Sequence, residues 1–119
     1  MLTELEANMI GSQWIQLWNE NDFDRYLLLY DDQAKEISSI SLRFIEETSG
    51  QLNGKNTLYN YWTVLKDKFP SLQYLTERII TDQQKIWVYF NIPTLDSKAI
   101  ARLDVNPQHK ITQVCISHV

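Results

Sequence analysis

The side chains best suited to acid–base chemistry near neutral pH are the two histidines of this chain, His109 and His118. In the final segment, KITQVCISHV, the apolar Val114 and Ile116 alternate with polar neighbours, which predicts a strand whose even positions face inward. His118 shares that parity, so we predict it to be a general base or the anchor of a ligand. The structural alternative is a histidine that only hydrogen-bonds a neighbour near a fraying chain end. His109 ends a predicted β-turn, where water would surround it.

Other reactive groups suggest no site. Cys115 lies on the outward parity of the same strand and has no clear histidine partner, so a nucleophilic role is not indicated. Asp31 and Asp32 are adjacent carboxylates, but they end a predicted helix and are expected to face water. Two distant histidines and one cysteine lack metal-ligand spacing, and a glycine-rich phosphate loop is absent from the sequence. The sequence therefore predicts no metal and no cofactor.

The elements that must position these groups begin with helices. Apolar side chains at helical spacing predict one helix over Glu4–Asn19 and a second over Asp22–Tyr30, with Asp22 as the N-cap. A third amphipathic helix follows Gly54 and is stopped by Pro70, because proline disfavours helical geometry in the residue before it.

Strands are predicted for the rest of the chain. Residues 35–41 and 42–48 look like two strands or one bent strand, and residues 49–54 like a turn-rich connection. After the third helix only strands follow. The odd positions from Ala99 to Val105 are apolar and are predicted to point inward.

The run IWVYF at Ile86–Phe90 departs from this alternation, because it is apolar or aromatic on both faces. A strand that is buried on one side only should alternate, so the outer face of the sheet is predicted to be covered. Since no helix is left over to cover it, we predict a homodimer through Trp87 and Tyr89. The alternative is that both side chains are simply half-exposed.

Composition narrows the class of protein. With 119 residues, residues 1–119 are predicted to form a single domain large enough for its own core. The net charge is −4 and the cations are not clustered, which argues against nucleic acid as a partner. A single cysteine, an acidic N-terminus and the lack of a long apolar run predict a cytoplasmic protein that does not enter a membrane.

Four segments together resemble the nuclear transport factor 2-like superfamily, and within it the SnoaL-like branch. They are WNENDFDRYLLLYDDQAKEIS, GQLNGKNTLYNYW, FPSLQY and KITQVCISHV. The resemblance implies an α+β fold, namely a cone-shaped barrel of a curved, mostly antiparallel sheet with three helices in the N-terminal half. It also implies a frequent dimer through the outer sheet face. Members include isomerases, cyclases, hydrolases, dehydratases and binding modules, so the fold alone says little about chemistry.

The resemblance can be tested residue by residue against ketosteroid isomerase. Trp14 stands at the position of the oxyanion-stabilising tyrosine and Ser38 at that of the proton-shuttling aspartate. Ala101 replaces the second acid, and Trp62 replaces a further pocket tyrosine. Because an indole cannot replace an acidic phenol and alanine offers no polar group, isomerisation by that mechanism is excluded.

Two other family mechanisms also lack their residues. Limonene epoxide hydrolase needs an Asp–Arg–Asp relay inside the cavity, whereas Arg102 and Asp104 fall on the outward parity here. SnoaL-type cyclases rely on an inward acid, and we recognise none in this sequence, although His118 is retained. Catalysis of this kind would therefore use His118 as the base.

These expectations lead to a pocket and to three hypotheses. The pocket would be lined by six side chains: Trp14, Ser38, Tyr61, Trp62, Ala101 and His118. The first hypothesis is a protein that binds a small apolar or aromatic molecule, because aromatic walls with few polar anchors suit such a ligand. The second is an enzyme of the polyketide-cyclase or isomerase type that transfers a proton through His118. The third is a protein-interaction scaffold whose cavity is filled by its own tryptophans.

Overall fold

A computed structural model of the chain describes residues 1–38 and 51–118. The helices are α1 (Glu4–Asn19), α2 (Phe23–Leu27) and α3 (Lys55–Lys68), and a short 3₁₀ turn covers Pro93–Leu95. The strands are β1 (Tyr30–Ser38), β2 (Gln51–Asn53), β3 (Leu75–Asp82), β4 (Lys85–Ile92), β5 (Ser97–Val105) and β6 (Ile111–His118). Among these described helices, none is long and apolar enough to cross a membrane.

The strands form one curved sheet in the order β2-β1-β6-β5-β4-β3. β1 and β6 run parallel and the other neighbours run antiparallel, so the sheet is mixed and does not close. α1 packs on β3 and β4, and α3 packs on β1. We call the sheet face turned toward the helices the inner face. The predicted α+β cone-shaped fold is confirmed, with an open sheet in place of a closed barrel.

α1 begins at a complete capping box. Thr3 Oγ1 accepts a hydrogen bond from the Glu6 backbone N–H, and the Glu6 carboxylate accepts one from the Thr3 backbone N–H. Further along, a β-carbon at Gly11 would lie 3.1 Å from Ile79 Cδ1, so the absence of a side chain there lets the helix approach β3 closely. The helix predicted over Glu4–Asn19 is confirmed.

α2 is shorter than predicted. Asp22 is its N-cap as expected, since its carboxylate accepts a hydrogen bond from the Arg25 backbone N–H at 3.2 Å. The prediction that this helix reaches Tyr30 is wrong, because Tyr30 already begins β1. The chain pairs with the sheet from this point on, because the Leu29 carbonyl accepts a hydrogen bond from the Ile111 backbone N–H of β6 at 2.8 Å.

β1 therefore starts upstream of the strand predicted over residues 35–41. Asp31 and Asp32 lie within it, so the prediction that they end a helix is also wrong. The Asp32 carboxylate is exposed and lies 3.3 Å from Lys55 Nζ. The tail of that predicted strand and the one predicted over residues 42–48 fall outside the described residues.

The prediction of a turn-rich connection over residues 49–54 is wrong for residues 51–53, which form β2. Residues 49 and 50 lie outside the described part of the chain. Gln51 pairs with Ile37 of β1 in antiparallel register, and Leu52 is buried. The burial of Leu52 and the pairing with β1 explain why this polar segment is extended. Gly54 then precedes α3 with a φ of 87°, a backbone conformation that favours glycine.

The predicted inward positions of the last two strands are confirmed. All of the following are buried on the inner face: Ala99, Ala101, Leu103, Val105, Val114 and Ile116. His118 pairs with Ala99 across the β5–β6 ladder, so it belongs to the same face, as its parity predicts.

β4 carries the IWVYF run. Ile86, Val88 and Phe90 are buried on the inner face, whereas Trp87 and Tyr89 are half-buried on the outer face. In a single chain the two outer aromatic side chains thus keep part of their surface in water. The predicted dimer through them stays a prediction.

Asn19 ties the end of α1 to the segment that leads into β3. Its Nδ2 donates to the Tyr74 carbonyl and its Oδ1 accepts from the Tyr74 backbone N–H, both at 2.8 Å. Asn19→Ala leaves both partly buried backbone groups unpaired, so we expect the free energy of unfolding, measured by urea denaturation, to fall by about 2 kcal/mol. Asn8→Ala is the matched control on the exposed side of the same helix and should change it by less than about 0.5 kcal/mol. Equal changes in the two variants would contradict this role.

Candidate functional site

A small cavity lies between the helices and the inner face of the sheet. Its volume is about 10 Å³, which is room for about one water molecule. Six of the side chains that line it are aromatic, and one is a carboxylic acid. The lining residues are Trp14, Trp18, Tyr26, Glu36, Ser38, Tyr61, Trp62, Leu65, Tyr74 and Ile116.

Four of the six predicted pocket residues meet at this cavity, namely Trp14, Ser38, Tyr61 and Trp62. A hydrogen bond joins the hydroxyl groups of Ser38 and Tyr61. The other two do not reach the lining. Ala101 is fully buried in the middle of β5, and its side chain is too short to project past its neighbours. His118 lies at the end of β6 with its Nε2 shielded from solvent, one alternate position beyond the lining residue Ile116.

Glu36 is the functional group that the sequence prediction missed. The conclusion that no inward acid is present is wrong, because Glu36 is only 3% exposed and lines the cavity. Alternation along β1 explains its place: Ala34, Glu36 and Ser38 are all buried, whereas the side chains between them face outward. Since Ser38 was predicted to point inward, the same parity already placed Glu36 beside it.

Burial raises the pKa of the Glu36 carboxyl from an ordinary 4.5 to about 7. The Trp62 indole partly opposes this shift, because its Nε1 donates a hydrogen bond to Glu36 Oε1 at a distance of 3.4 Å. Such a long bond stabilises the carboxylate only weakly. Glu36 can therefore both give and take a proton near neutral pH.

The tyrosines around Glu36 stay neutral. Burial raises the pKa of Tyr26, Tyr30, Tyr61 and Tyr74, and a negative charge on Glu36 raises each of them further. Two of these hydroxyl groups form a buried chain with an indole, in which Trp14 Nε1 donates to the Tyr30 hydroxyl at 2.9 Å and Tyr30 donates to the Tyr26 hydroxyl at 3.2 Å. The walls thus supply neutral hydrogen-bonding groups and one titrating acid.

Trp18, another lining residue, combines a buried indole N–H with a lysine packed on its ring. Its indole Nε1 is buried and has no hydrogen-bond partner among the described residues. Lys66 Nζ lies 4.6 Å from the centre of a Trp18 ring and donates to the Leu72 carbonyl at 2.6 Å. Burial lowers the pKa of this lysine to about 8. The cation–π contact and the carbonyl together hold a charged amine against the aromatic cluster.

The remaining reactive groups lie elsewhere. Arg102 binds the Asp104 carboxylate at 2.9 Å and donates to Cys115 Sγ at 3.4 Å, all on the outer face, as the parity predicted. His109 lies in its predicted turn, but it is not merely solvated, because its Nε2 is 3.1 Å from the Glu6 carboxylate. Among the described residues, no cluster of acids, histidines and cysteine could hold a metal ion.

Comparison with solved structures assigns the fold. A SnoaL-like protein of unknown function from Burkholderia thailandensis superimposes with a TM-score of 0.91 over 98% of this chain and 97% of that chain, at 20% sequence identity. A proposed isomerase of the SnoaL-like family from Agrobacterium tumefaciens gives a TM-score of 0.78 over 97% and 98%, at 13% identity. A de novo designed protein with a curved β-sheet gives 0.75 over 97% and 86%, at 9% identity.

The chain thus has the fold of SnoaL-like and nuclear transport factor 2-like proteins, as the resemblance in its sequence indicated. No protein-family model matches the sequence, and no curated protein matches it. Because a designed protein shares the fold, the function has to be argued from the side chains of the cavity.

Proposed function

We propose that this chain binds a small, largely apolar molecule in the aromatic cavity, with Glu36 as the polar anchor. The observation that carries the proposal is the burial of the Glu36 carboxyl, for which a long hydrogen bond from Trp62 is the only partner among residues 1–38 and 51–118. Burying an ionisable group without a charged partner lowers stability. A glutamine or leucine would fill the same place without that penalty, and such departures from stable packing are typical of functional sites.

The environment of Trp18 supports the same reading. A buried N–H donor that lacks a partner is rare in folded proteins, and an acceptor atom of a ligand or of a bound water molecule would satisfy it. The lining therefore includes a carboxyl group and a tryptophan whose buried indole N–H has no partner among the described residues, both among aromatic side chains. This combination of apolar surface and few polar groups is typical of small-molecule sites.

The small volume of the cavity favours the scaffold hypothesis as an alternative. A ligand larger than a water molecule has to displace side chains, because the free space is about 10 Å³. Trp14 and Trp62 are essentially inaccessible to solvent and occupy much of the interior. A protein whose own indoles fill the cavity would use its surface for interactions instead.

Proton transfer is the second candidate function. A group that titrates near pH 7 suits a general acid or base, and Glu36 meets that condition. We propose Glu36 as the first candidate base and His118 as the second, in a cyclisation, isomerisation or dehydration. Glu36→Gln and His118→Ala separate them: loss of turnover in one variant, while the other variant keeps its turnover, assigns the base.

We also propose a cytoplasmic homodimer that pairs through the outer face of the sheet. The ladder registers place five outer-face side chains in one row across five strands: Ile37, Cys115, Arg102, Trp87 and Ile80. Tyr89 lies beside this row, next to Trp87. Burying such a mixed row of apolar, aromatic and paired polar side chains against a second copy suits a symmetric interface.

A native mass spectrum of the freshly purified protein tests ligand and dimer together. We expect twice the 14.1 kDa mass of the chain plus a discrete adduct that is lost in Glu36→Gln. The matched control is Glu20→Gln, the same substitution on the exposed end of α1, which should retain the adduct. A bare dimer after gentle purification would favour the filled-cavity scaffold or a transient substrate. A monomer would overturn the proposed interface.

A further inference from the structure

We infer that the molecule bound beside Glu36 is a small organic ammonium ion, held by the carboxylate and by the aromatic walls of the cavity. This inference rests on the proposed function, because it names the chemical class of the ligand of that same site. It is carried by three observations, namely the charge of the lining, the aromatic content of the walls and the size of the free space.

The charge of the lining points to a cation. Among the residues that the structure describes, Glu36 is the one ionisable carboxyl of the lining, and none of the ten lining residues is an arginine, lysine or histidine. A buried carboxylate is stabilised strongly by an opposite charge in direct contact, because the surrounding dielectric constant is low. An ammonium ion supplies that charge, whereas an anionic ligand would add a second buried negative charge.

The aromatic walls suit the same class. The faces of Trp and Tyr rings carry negative potential and attract ammonium groups. The chain already contains one such contact at the edge of this cluster, between Lys66 Nζ and the Trp18 ring at 4.6 Å. The same aromatic cluster therefore accommodates an amine that is largely withdrawn from water.

The free space matches the charged head of an amine. A cavity with room for about one water molecule has room for an –NH₃⁺ group of similar size, whereas the carbon atoms attached to that group fit only where the walls move apart. Methylammonium is the smallest organic probe of this class. Methanol has the same number of heavy atoms and no charge, so it is the matched control.

The inference predicts how binding depends on pH. The titratable groups that face Glu36 are Tyr26 on α2, Tyr30 on β1, Tyr61 on α3 and Tyr74 ahead of β3, and all four stay neutral. Two basic side chains lie at the edges of this region: Lys66 contacts the Trp18 ring, and His118 is at the end of β6, paired with Ala99. Since only ionised Glu36 attracts a cation, methylammonium binding should strengthen as the pH rises through about 7.

The test follows indole N–H resonances by NMR during titration with methylammonium chloride, at pH 8.0 and pH 5.5 and at constant ionic strength. We expect the Trp62 and Trp18 indole signals to shift and the signal of Trp87, on the outer face, to stay. With a pKa of about 7, the ionised fraction of Glu36 is roughly 30-fold smaller at pH 5.5 than at pH 8.0. We therefore expect the affinity for methylammonium to be weaker by the same factor at pH 5.5. Glu36→Gln should abolish the shifts. Glu36→Asp keeps the charge and should retain the pH dependence.

Two results would overturn the inference. If methanol shifts the same indole signals as strongly as methylammonium and at both pH values, the ligand is neutral, and the proposed small-molecule site stands without this inference. If neither probe moves the lining indoles while the Trp87 signal shows a folded protein, the ammonium site is wrong. A bare native mass spectrum in addition would then remove the proposed function as well.

Discussion

We expect the Glu36→Gln variant to become more stable relative to the natural chain as the pH rises. The difference between their free energies of unfolding should shift by about 3 kcal/mol in favour of the variant from pH 4.5 to pH 8. The cause is the raised pKa of Glu36, which burial moves from 4.5 in an exposed carboxyl to about 7 in the folded protein. Between these values the folded chain holds a proton that the unfolded chain has released. Because the folded chain binds this proton more tightly, its stability relative to the Glu36→Gln variant is highest below pH 4.5. This advantage declines between pH 4.5 and about pH 7 and is absent at higher pH. Urea denaturation of both proteins at several pH values measures the difference.

Glu77→Gln is a control of the opposite sign. Hydrogen bonds from Lys98 and Asn91 lower the pKa of the exposed Glu77 carboxyl, so its ion pair with Lys98 stabilises the fold at neutral pH and is lost as the pH falls. Removing Glu77 should therefore disfavour the variant at high pH, whereas removing Glu36 should favour it. If the two variants change in the same direction, or if Glu36→Gln shows no pH dependence, the Glu36 carboxyl is hydrated in solution.

Alternation along the strands made most of the sheet predictable from the sequence. Apolar residues at every second position of β5 and β6 predicted which side chains point inward, because one face of each strand is buried and the other is not. The border between α2 and β1 could not be placed in the same way. Tyr30 continues the helical apolar pattern in the sequence, and only the hydrogen bonds to β6, a segment distant in the chain, draw it into the sheet.

Three of the six aromatic residues of the candidate site were predicted from the sequence, namely Trp14, Tyr61 and Trp62, and three were not, namely Trp18, Tyr26 and Tyr74. The acid could be predicted only by giving the alternation along β1 more weight than the polarity of the side chain. Glu36 is charged in water, so a composition-based reading places it on the surface. Its inward position follows from Ala34 and Ser38 on either side along the same face. The volume of the cavity was beyond reach, because it depends on how six rings from α1, α2, α3 and the segment before β3 interlock.

Trp14→Ala is expected to lower the free energy of unfolding by about 4 kcal/mol, because removing a fully buried indole leaves a cavity that the surrounding rings cannot close. The Trp14 ring lies 5.8 Å from the Phe90 ring and 5.9 Å from the Tyr74 ring, centre to centre. Its Nε1 also donates to Tyr30, and that hydroxyl would lose a donor. Urea denaturation followed by circular dichroism measures the change without relying on tryptophan fluorescence.

Trp87→Ala removes the same side chain from the half-buried outer face and should cost about 1 kcal/mol in a single chain. If the outer face joins two copies, the effect of Trp87→Ala should depend on protein concentration, because subunit association then contributes to stability. The loss in Trp14→Ala should not depend on concentration, since that side chain packs entirely within one chain. A Trp14 variant no less stable than the Trp87 variant would mean that the aromatic wall is loosely packed. A loosely packed wall could open to a whole ligand rather than to its head group, so this pair of variants bears directly on how the cavity is occupied.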